Sequence, residues 1–578
     1  MLAKLLRKVL LSSLVLTVWK IPLLAQRPKL SGVADAVYVH GNILTGDALA
    51  TVRPRRVSAV AIRNGMIVAT GDDTEILKLR GPRTEVVDLH GAFAMPGFND
   101  AHVHLASAGR TKLTIDLIGV QSLSEMEQRI AAAAKAAPAG TWLRGRGWDQ
   151  MTWAANQLPT RQDLDAVTGD HPSIFTRVDG HIAVANSKAL QLSGMAGNSS
   201  DPPGGKIDRD AQGEPTGIVR ETAMDLVYAK VPPPTGEERR KALELAIQDA
   251  IAHGVTSVQD YSTWEDFLVY EEMEREDKLP IRISEWLTFL DPLPVLESQR
   301  AHHPANDPLL HTGMLKGFMD GSLGSRTAVL NAPYSDDPGN SGIPQFDQSE
   351  LNRMTVERAQ AGFQIGFHAI GDRAVSMALN AFVAAEGAVP NSMTSRFRLE
   401  HIQVIDPHDF IRFRWLGVIA SMQPNHLLTD MYWAEDRVGP ERAKYSYPWR
   451  TFVDQGTVLA FGTDYPVEPV TPFRGIYAAI TRKSEDGTRI YYPEQAITRG
   501  EALYAYTQGS AFAERMETKK GKLVPGQFAD FVVLDRDLLK AKPADILKTR
   551  VLRTVVAGQT VYEAGITKTQ QPPNYRQP

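Results

Sequence analysis

Between residues 98 and 464 the chain repeats one unit, a short apolar run followed by a stretch with helical spacing. The runs read FNDAHVH, VTSVQD, IRISEWLTFL, MLKGFMD, FQIGFH, FRLEHI, GVIASM and TVLAFGTD. Short apolar runs alternating with amphipathic helices are the pattern of parallel β-α units. Eight in succession predict an α/β fold, a (β/α)8 TIM barrel, with an open doubly wound sheet as the alternative. The helical stretches carry their own punctuation. TGEERRKALELAIQDAIAHG opens on a Thr-x-x-Glu capping box at Thr235 and stops at Gly254, and further helices begin near Ser349 and Asp372.

One interval, from about residue 106 to 235, is too long for a loop between the first strand and the second. It reads as an inserted subdomain with short strands and a helix through the 120s and 130s. Both ends of the chain are also β-rich, but their runs alternate and are broken by turns. They are ADAVYVHGNILTG, VSAVAIRNGMIVATG and TEVVDLHGAFAMPGF before the barrel, and GKLVPGQFADFVVLD and VLRTVVAGQTVYE after it. Runs bounded by Asn-Gly, Thr-Gly and His-Gly predict antiparallel hairpins. Neither end has enough strands to bury a core alone, so the two are expected to pair into one domain. The expected division is 26–95 and 516–565 for this β domain, 96–515 for the barrel, and a disordered, Pro-rich tail at 566–578.

Residues 1–25 differ again. Lys4, Arg7 and Lys8 precede VLLSSLVLTVW, and LLA ends in a small residue before Gln26. This is the pattern of a cleaved secretory signal peptide, predicting an exported, periplasmic or secreted protein with no stable membrane insertion after cleavage. Cleavage removes four positive charges, the three above and Lys20, and shifts the formal charge from −4 to −8. A mildly acidic protein offers no electrostatic footprint for nucleic acid. The chain has no cysteine, which excludes disulfides, thiolate nucleophiles and Cys-ligated metal.

In a barrel of this kind chemistry is built where strands end. Those ends carry His102 and His104, Asp260, Lys316, His368, His401 and Asp464. His102 and His104 are two apart, so on a strand both project from one face. Four histidines and an aspartate at strand ends predict a metal site. Lys316 fits beside metal ligands only if its charge is lost. Burial frees the amine, and a neutral amine adds CO2 to become a carbamate, a carboxylate able to bridge two ions. Asp320, four residues on, is the candidate for fixing the following loop.

The set PGFNDAHVHL, the strand lysine, GFHAIGD, RLEHIQ and FGTDYPV resembles the metal-dependent amidohydrolase superfamily. RVDGHIAVANSKAL, GEPTGIVRE, LKGFMDGSLGSRTA and FGTDYPVEPVTPF are similar to amidohydrolase family 3, the YtcJ-like branch that includes N-substituted formamide deformylases. The resemblance runs from about residue 34 to 563. It implies a barrel with a composite β-sandwich from both chain ends, and two zinc or other divalent ions. His102, His104 and Asp464 would hold one, His368 and His401 the other, with carboxylated Lys316 between. Strand eight has Gly-Thr-Asp where the branch often has Gly-Ser-Asp. From the insertion, Trp148, Arg177 and His181 are candidate substrate contacts, with Asp149 and Asp179 beside them.

The activity implied is hydrolysis of amide-type, non-peptide carbon–nitrogen bonds of a small molecule by a metal-activated hydroxide, with Asp464 as general acid and base. A homodimer is an open expectation. A mononuclear deaminase or cyclic amidine hydrolase would need a glutamate after strand five, where this chain has AIGDRA, and has no use for Lys316. A catalytically inactive exported binding or regulatory protein on the same scaffold would show a lost ligand, and none is lost.

Overall fold

The computed structural model describes residues 32–49, 51, 53–177, 182–202, 205–389 and 395–565. The signal pattern, the C-terminal tail, Asp179 and His181 lie outside the described residues.

The eight apolar runs are eight strands: Phe98–Val103, Val255–Asp260, Arg282–Thr288, Leu310–Phe318, Ile365–Ala369, Arg398–His401, Ile419–Met422 and Leu459–Phe461. They pair in sequence order, and every pairing is parallel. The first and last strands close the ring. Asp464 N donates to His102 O at 2.8 Å, and His104 N donates to Tyr465 O at 2.8 Å. Gly462 permits that approach, because a Cβ there would lie 2.5 Å from His102 N. The expected barrel is therefore the observed one, and the open sheet is excluded.

Helices pack the outside as their patterning dictates. Gly236–Ala252 carries the capping box between Thr235 and Glu238 and buries Ala242, Leu243, Ala246, Ile247, Ala250 and Ile251, one stripe at helical spacing. It lies against Leu105–Lys112 at a glycine: a Cβ on Gly109 would fall 1.8 Å from Ala242 O. Among the described residues no helix is long and apolar enough to cross a membrane.

Residues between the first and second barrel strands build a six-stranded sheet in the order Gly205–Arg209, Pro215–Glu221, Ile182–Ala185, Ser173–Arg177, Leu143–Trp148, Ile115–Asp116, flanked by the helix Leu123–Ala136. Outside the barrel, strands from both ends of the chain share a second six-stranded sheet: Gln559–Glu563, Val551–Val556, Phe531–Leu534, Phe93–Pro96, Asn42–Leu44, Arg56–Val57. A four-stranded sheet, Met66–Gly71, Ala59–Arg63, Ala36–Val39, Glu85–Asp88, packs on it through one core that includes Tyr38, Ile62, Phe531 and Val555. Tyr38 and Phe531 meet edge to face at 4.9 Å.

The hairpin expectation for the N-terminal end needs correction. Of the turns named, Asn64-Gly65 joins a tight hairpin between Ala59–Arg63 and Met66–Gly71, and Thr45-Gly46 opens the long connection between the antiparallel pair Asn42–Leu44 and Arg56–Val57. The runs flanking His40-Gly41 go to different sheets, as do those flanking His90-Gly91. In each case Leu89 or its neighbours fold back, with Leu89 N bonding Val39 O and Gly91 N bonding His40 O, so the turn is a corner between layers. The sandwich is tied to the barrel by a buried ion pair, Arg282 with Asp530 at 2.6 and 3.0 Å.

Candidate metal centre

At the C-terminal ends of the strands His102, His104 and Asp464 come together, as do His401, His426 and Asp464. His102 ends the first strand fully buried, and His104 opens the next helix with about a quarter of its side chain exposed. The two rings lie 5.2 Å apart. His102 Nε2 is 3.6 Å and His104 Nε2 3.1 Å from Asp464 Oδ1.

The outer nitrogens decide the tautomers. His102 Nδ1 lies 2.8 Å from the buried Glu400 carboxylate, and His104 Nδ1 lies 3.1 Å from Tyr261 O. Both acceptors lack hydrogens, so the ring proton is assigned to Nδ1 in each case. Each Nε2 then presents a lone pair toward a carboxylate oxygen. Lone pair against carboxylate is repulsive unless a cation lies between them, so the donor set fits a bound divalent ion. His401 makes the same point from the opposite wall: its buried Nδ1 has no hydrogen-bond partner and sits 4.0 Å from Asp464 Oδ2.

Burial sets the protonation states. It pulls His102 down to about 4, with Lys316 adding to the effect, pulls His368 down to about 3, and holds His401 well below the usual histidine range. Neutral imidazoles are the ligand form. Lys316 is buried, its Nζ 3.2 Å from His102 Nε2, and desolvation brings it down to about 8 despite the nearby Glu400 and Asp464. Burial would raise Asp464, yet His102, His104 and His426 hold it well below the usual carboxylate range.

His368 stands against His401 with ring centres 4.5 Å apart. Its Nε2 is committed to Gly321 O at 3.0 Å, which leaves Nδ1 as the available donor atom. Asp320 fixes the neighbouring loops, accepting from Val329 N, Ile370 N and Gly371 N at 2.9 to 3.0 Å. Asp260 faces away from the centre. It accepts from Leu105 N, Ser262 Oγ and Tyr270 Oη, so it anchors the helix that follows His104.

His426 was not visible as a site residue in the sequence. It lies four residues past the seventh strand on the short helix Asn425–Asp430, with Nε2 3.1 Å from Asp464 Oδ2. Burial opposes its charging, but Asp464 prevails and raises it to about 9. The signal was MQPNH, a histidine one turn beyond a strand end. Thr463 also finds its reason: its hydroxyl donates to Asp100 Oδ2 at 2.6 Å and its backbone N to Oδ1 at 2.9 Å, pinning strand eight to strand one.

The insertion residues are largely framework. Trp148 is fully buried in the insertion's core and donates to Phe175 O at 2.8 Å, which removes it from the candidate substrate contacts. Arg177 is engaged by Asp149 at 2.5 Å and Gln150 at 2.9 Å.

Residues 85–562 match the model of the amidohydrolase family. The chain belongs to that family. YtcJ of Bacillus subtilis (strain 168) is 34% identical over 88% of this chain and 96% of its own length. An N-substituted formamide deformylase of Arthrobacter pascens is 27% identical over 92% of this chain and 98% of its own. An uncharacterized metal-dependent hydrolase from Pyrococcus furiosus superposes with a TM-score of 0.74 at 33% identity, covering 87% of this chain and all of that one. This amidohydrolase is a metal-dependent hydrolase of carbon–nitrogen bonds, and the groups around Asp464 could hold a metal ion.

Proposed function

We propose that the chain hydrolyses an amide-type, non-peptide carbon–nitrogen bond of a small molecule, with Asp464 as the proton-transfer group. The carrying observation is the convergence of the His102 and His104 Nε2 atoms on Asp464 Oδ1, with buried Lys316 beside them. In this reading His102, His104 and Asp464 hold one zinc-class ion, and His368 and His401 hold the other. His426 orients Asp464 from the far side. Divalent ions held there supply Lewis acidity and bring the pKa of water toward neutrality.

The chain's own residues do the rest. Glu400 and Tyr261 O hold the Nδ1 protons, so both Nε2 lone pairs point inward. Asp464, ionised and braced by His426, accepts a proton from the attacking water and returns it to the leaving nitrogen, so water and amide become acid and amine. Burial brings Lys316 down to about 8, so a minority of it is free amine near neutral pH; that amine adds CO2 to give a carbamate and one proton, and the repelling cation is replaced by a carboxylate that would serve as a metal ligand. Export through residues 1–25 and a β-sandwich assembled from 26–95 and 516–565 complete the proposal.

The test is a screen of N-formyl and N-acyl amines, cyclic amides and esters against the zinc-loaded mature protein, with metal counted per chain. Release of amine, with two ions located at the centre around Asp464, supports the reading. Turnover only of amidines or aminopurines, with one ion, replaces it by the deaminase alternative.

A further inference from the structure

A third grouping of donor atoms lies away from the catalytic centre, on the outer wall of the barrel. It is formed by Glu274 on the helix Trp264–Arg275, His303 at the end of the helix Leu293–His302, and Asp307 in the turn before the fourth strand. That turn leads into the strand's first residue, Leu310, whereas Lys316 of the same strand is six residues further on. At strand rise the two places are about 20 Å apart.

The geometry of His303 singles it out. Its side chain is one-tenth exposed, and Nδ1 is held 2.7 Å from Glu271 Oε1, a carboxylate whose other oxygen engages His302 Nε2 at 3.0 Å. Phe267 stands edge-on to the ring at 5.7 Å. The proton is therefore assigned to Nδ1, and Nε2 is aimed at Glu274 Oε2 at 3.6 Å and Asp307 Oδ2 at 3.8 Å. Nε2 is buried and has no hydrogen-bond partner. Asp307 is prepared in the same way: Oδ1 accepts from Leu309 N at 2.7 Å and Leu310 N at 3.1 Å, leaving Oδ2 for the cluster.

We propose that Glu274, His303 and Asp307 form a second, structural site for a divalent transition-metal ion of the zinc class. Three donor atoms on an ion with bonds of about 2.1 Å lie no more than about 4.2 Å apart, and the two separations from Nε2 satisfy this. One imidazole and two carboxylates suit zinc, and a carboxylate on the distal imidazole nitrogen is the usual support of such a ligand. The ion would tie two outer helices to the turn that starts the fourth strand.

The experiment uses the full-length protein, stripped by chelation and reloaded with Zn2+ alone. Glu274→Gln is isosteric, and Asp307→Asn keeps the oxygen that accepts from Leu309 and Leu310, so both variants should fold. Each is expected to bind one zinc fewer per chain than wild type and to lose part of the zinc-dependent rise in Tm, while amide turnover is retained. Crystals of the zinc-loaded wild type should show an anomalous peak between His303 and Asp307 at the zinc edge. Equal zinc counts in all three proteins, or no peak there, would make the cluster an ion-pair network only and overturn the proposal.

Discussion

Glu400→Gln separates tautomer control from every other contribution of the centre. Glu400 Oε2 takes the His102 Nδ1 proton at 2.8 Å, and Oε1 takes Arg398 Nε at 2.6 Å, both in a fully buried setting. Glutamine can keep its oxygen on Arg398, but its amide then turns two N–H groups toward His102 Nδ1. Donor faces donor, and the ring escapes only by moving its proton to Nε2, the atom that faces Asp464 and Lys316. The lone pair needed by a metal is then lost. Removing such an outer partner typically lowers metal affinity about 10- to 100-fold, which at about 1.4 kcal/mol per decade is roughly 1.4 to 2.8 kcal/mol. The assay is a chelator-buffered Zn2+ titration of the stripped protein, with the Tm of the metal-free variant as control. The expected outcome is weaker zinc binding with the unloaded fold nearly as stable as wild type, and recovery of activity at high zinc. Glu400→Ala should behave differently. It also leaves Arg398 short of its charged partner, a loss of about 3 to 5 kcal/mol visible in the metal-free protein. Wild-type zinc affinity in Glu400→Gln would show that His102 is not a ligand or that Glu400 does not set its tautomer.

Asp464→Asn keeps the shape but cannot pass a proton, so kcat should fall by about 10^2 to 10^4 while the Tm holds; turnover at the wild-type rate would move the proton-transfer role elsewhere. Lys316→Ala should lose bound metal, with partial rescue by short carboxylic acids in bicarbonate-free buffer, and full unrescued activity would leave the lysine a packing residue. Asp320→Asn replaces an acceptor of three backbone N–H groups by one with a single oxygen; urea unfolding should register at least about 2 kcal/mol of lost stability. Asp530→Ala strands Arg282 in the joint between sandwich and barrel, and should cost about 3 to 5 kcal/mol in the same assay.

The barrel was legible because its strands are buried on both faces and so read as largely apolar runs, and because His102, Lys316, His368, His401 and Asp464 interrupt or follow those runs near their C-terminal ends. The N-terminal corners pass for hairpins in the sequence for a local reason. His-Gly permits a tight turn between paired strands and a corner between sheets equally well, and only the partner strand, remote in sequence, decides which forms. Trp148 carried no sign of its burial: an indole in GRGWDQ is equally a pocket wall or a core residue until its neighbours are known. His426 escaped because reading strand ends looks at the last residues of a run, and this ring reaches the centre from the first turn of a short helix beyond one.

Glu400 is the more instructive omission, since it adjoins a residue that the sequence did identify. Strand alternation puts Arg398 and Glu400 on the interior face, and by that rule His401 should point outward. It does not, because His401 and Ile402 have φ values of 73° and 48°, a left-handed pair that turns the chain back and delivers the imidazole to the same side as Glu400. Asp464 reaches the centre in the same way, with φ 59°. Non-glycine residues in that region are costly, and they hold only where the surroundings over-determine them. Here the surroundings are a polar layer beneath the site. Arg398 donates to Glu400, Gln259, Ala101 O and Ser421 inside the barrel, where branched apolar side chains would ordinarily pack. A buried arginine is weak ground for stability. Its geometry fixes Glu400, Glu400 fixes the His102 tautomer, and the two left-handed turns bring His401 and Asp464 to the lone pair so exposed, so the polar layer and the strained strand ends are one device for aiming donor atoms.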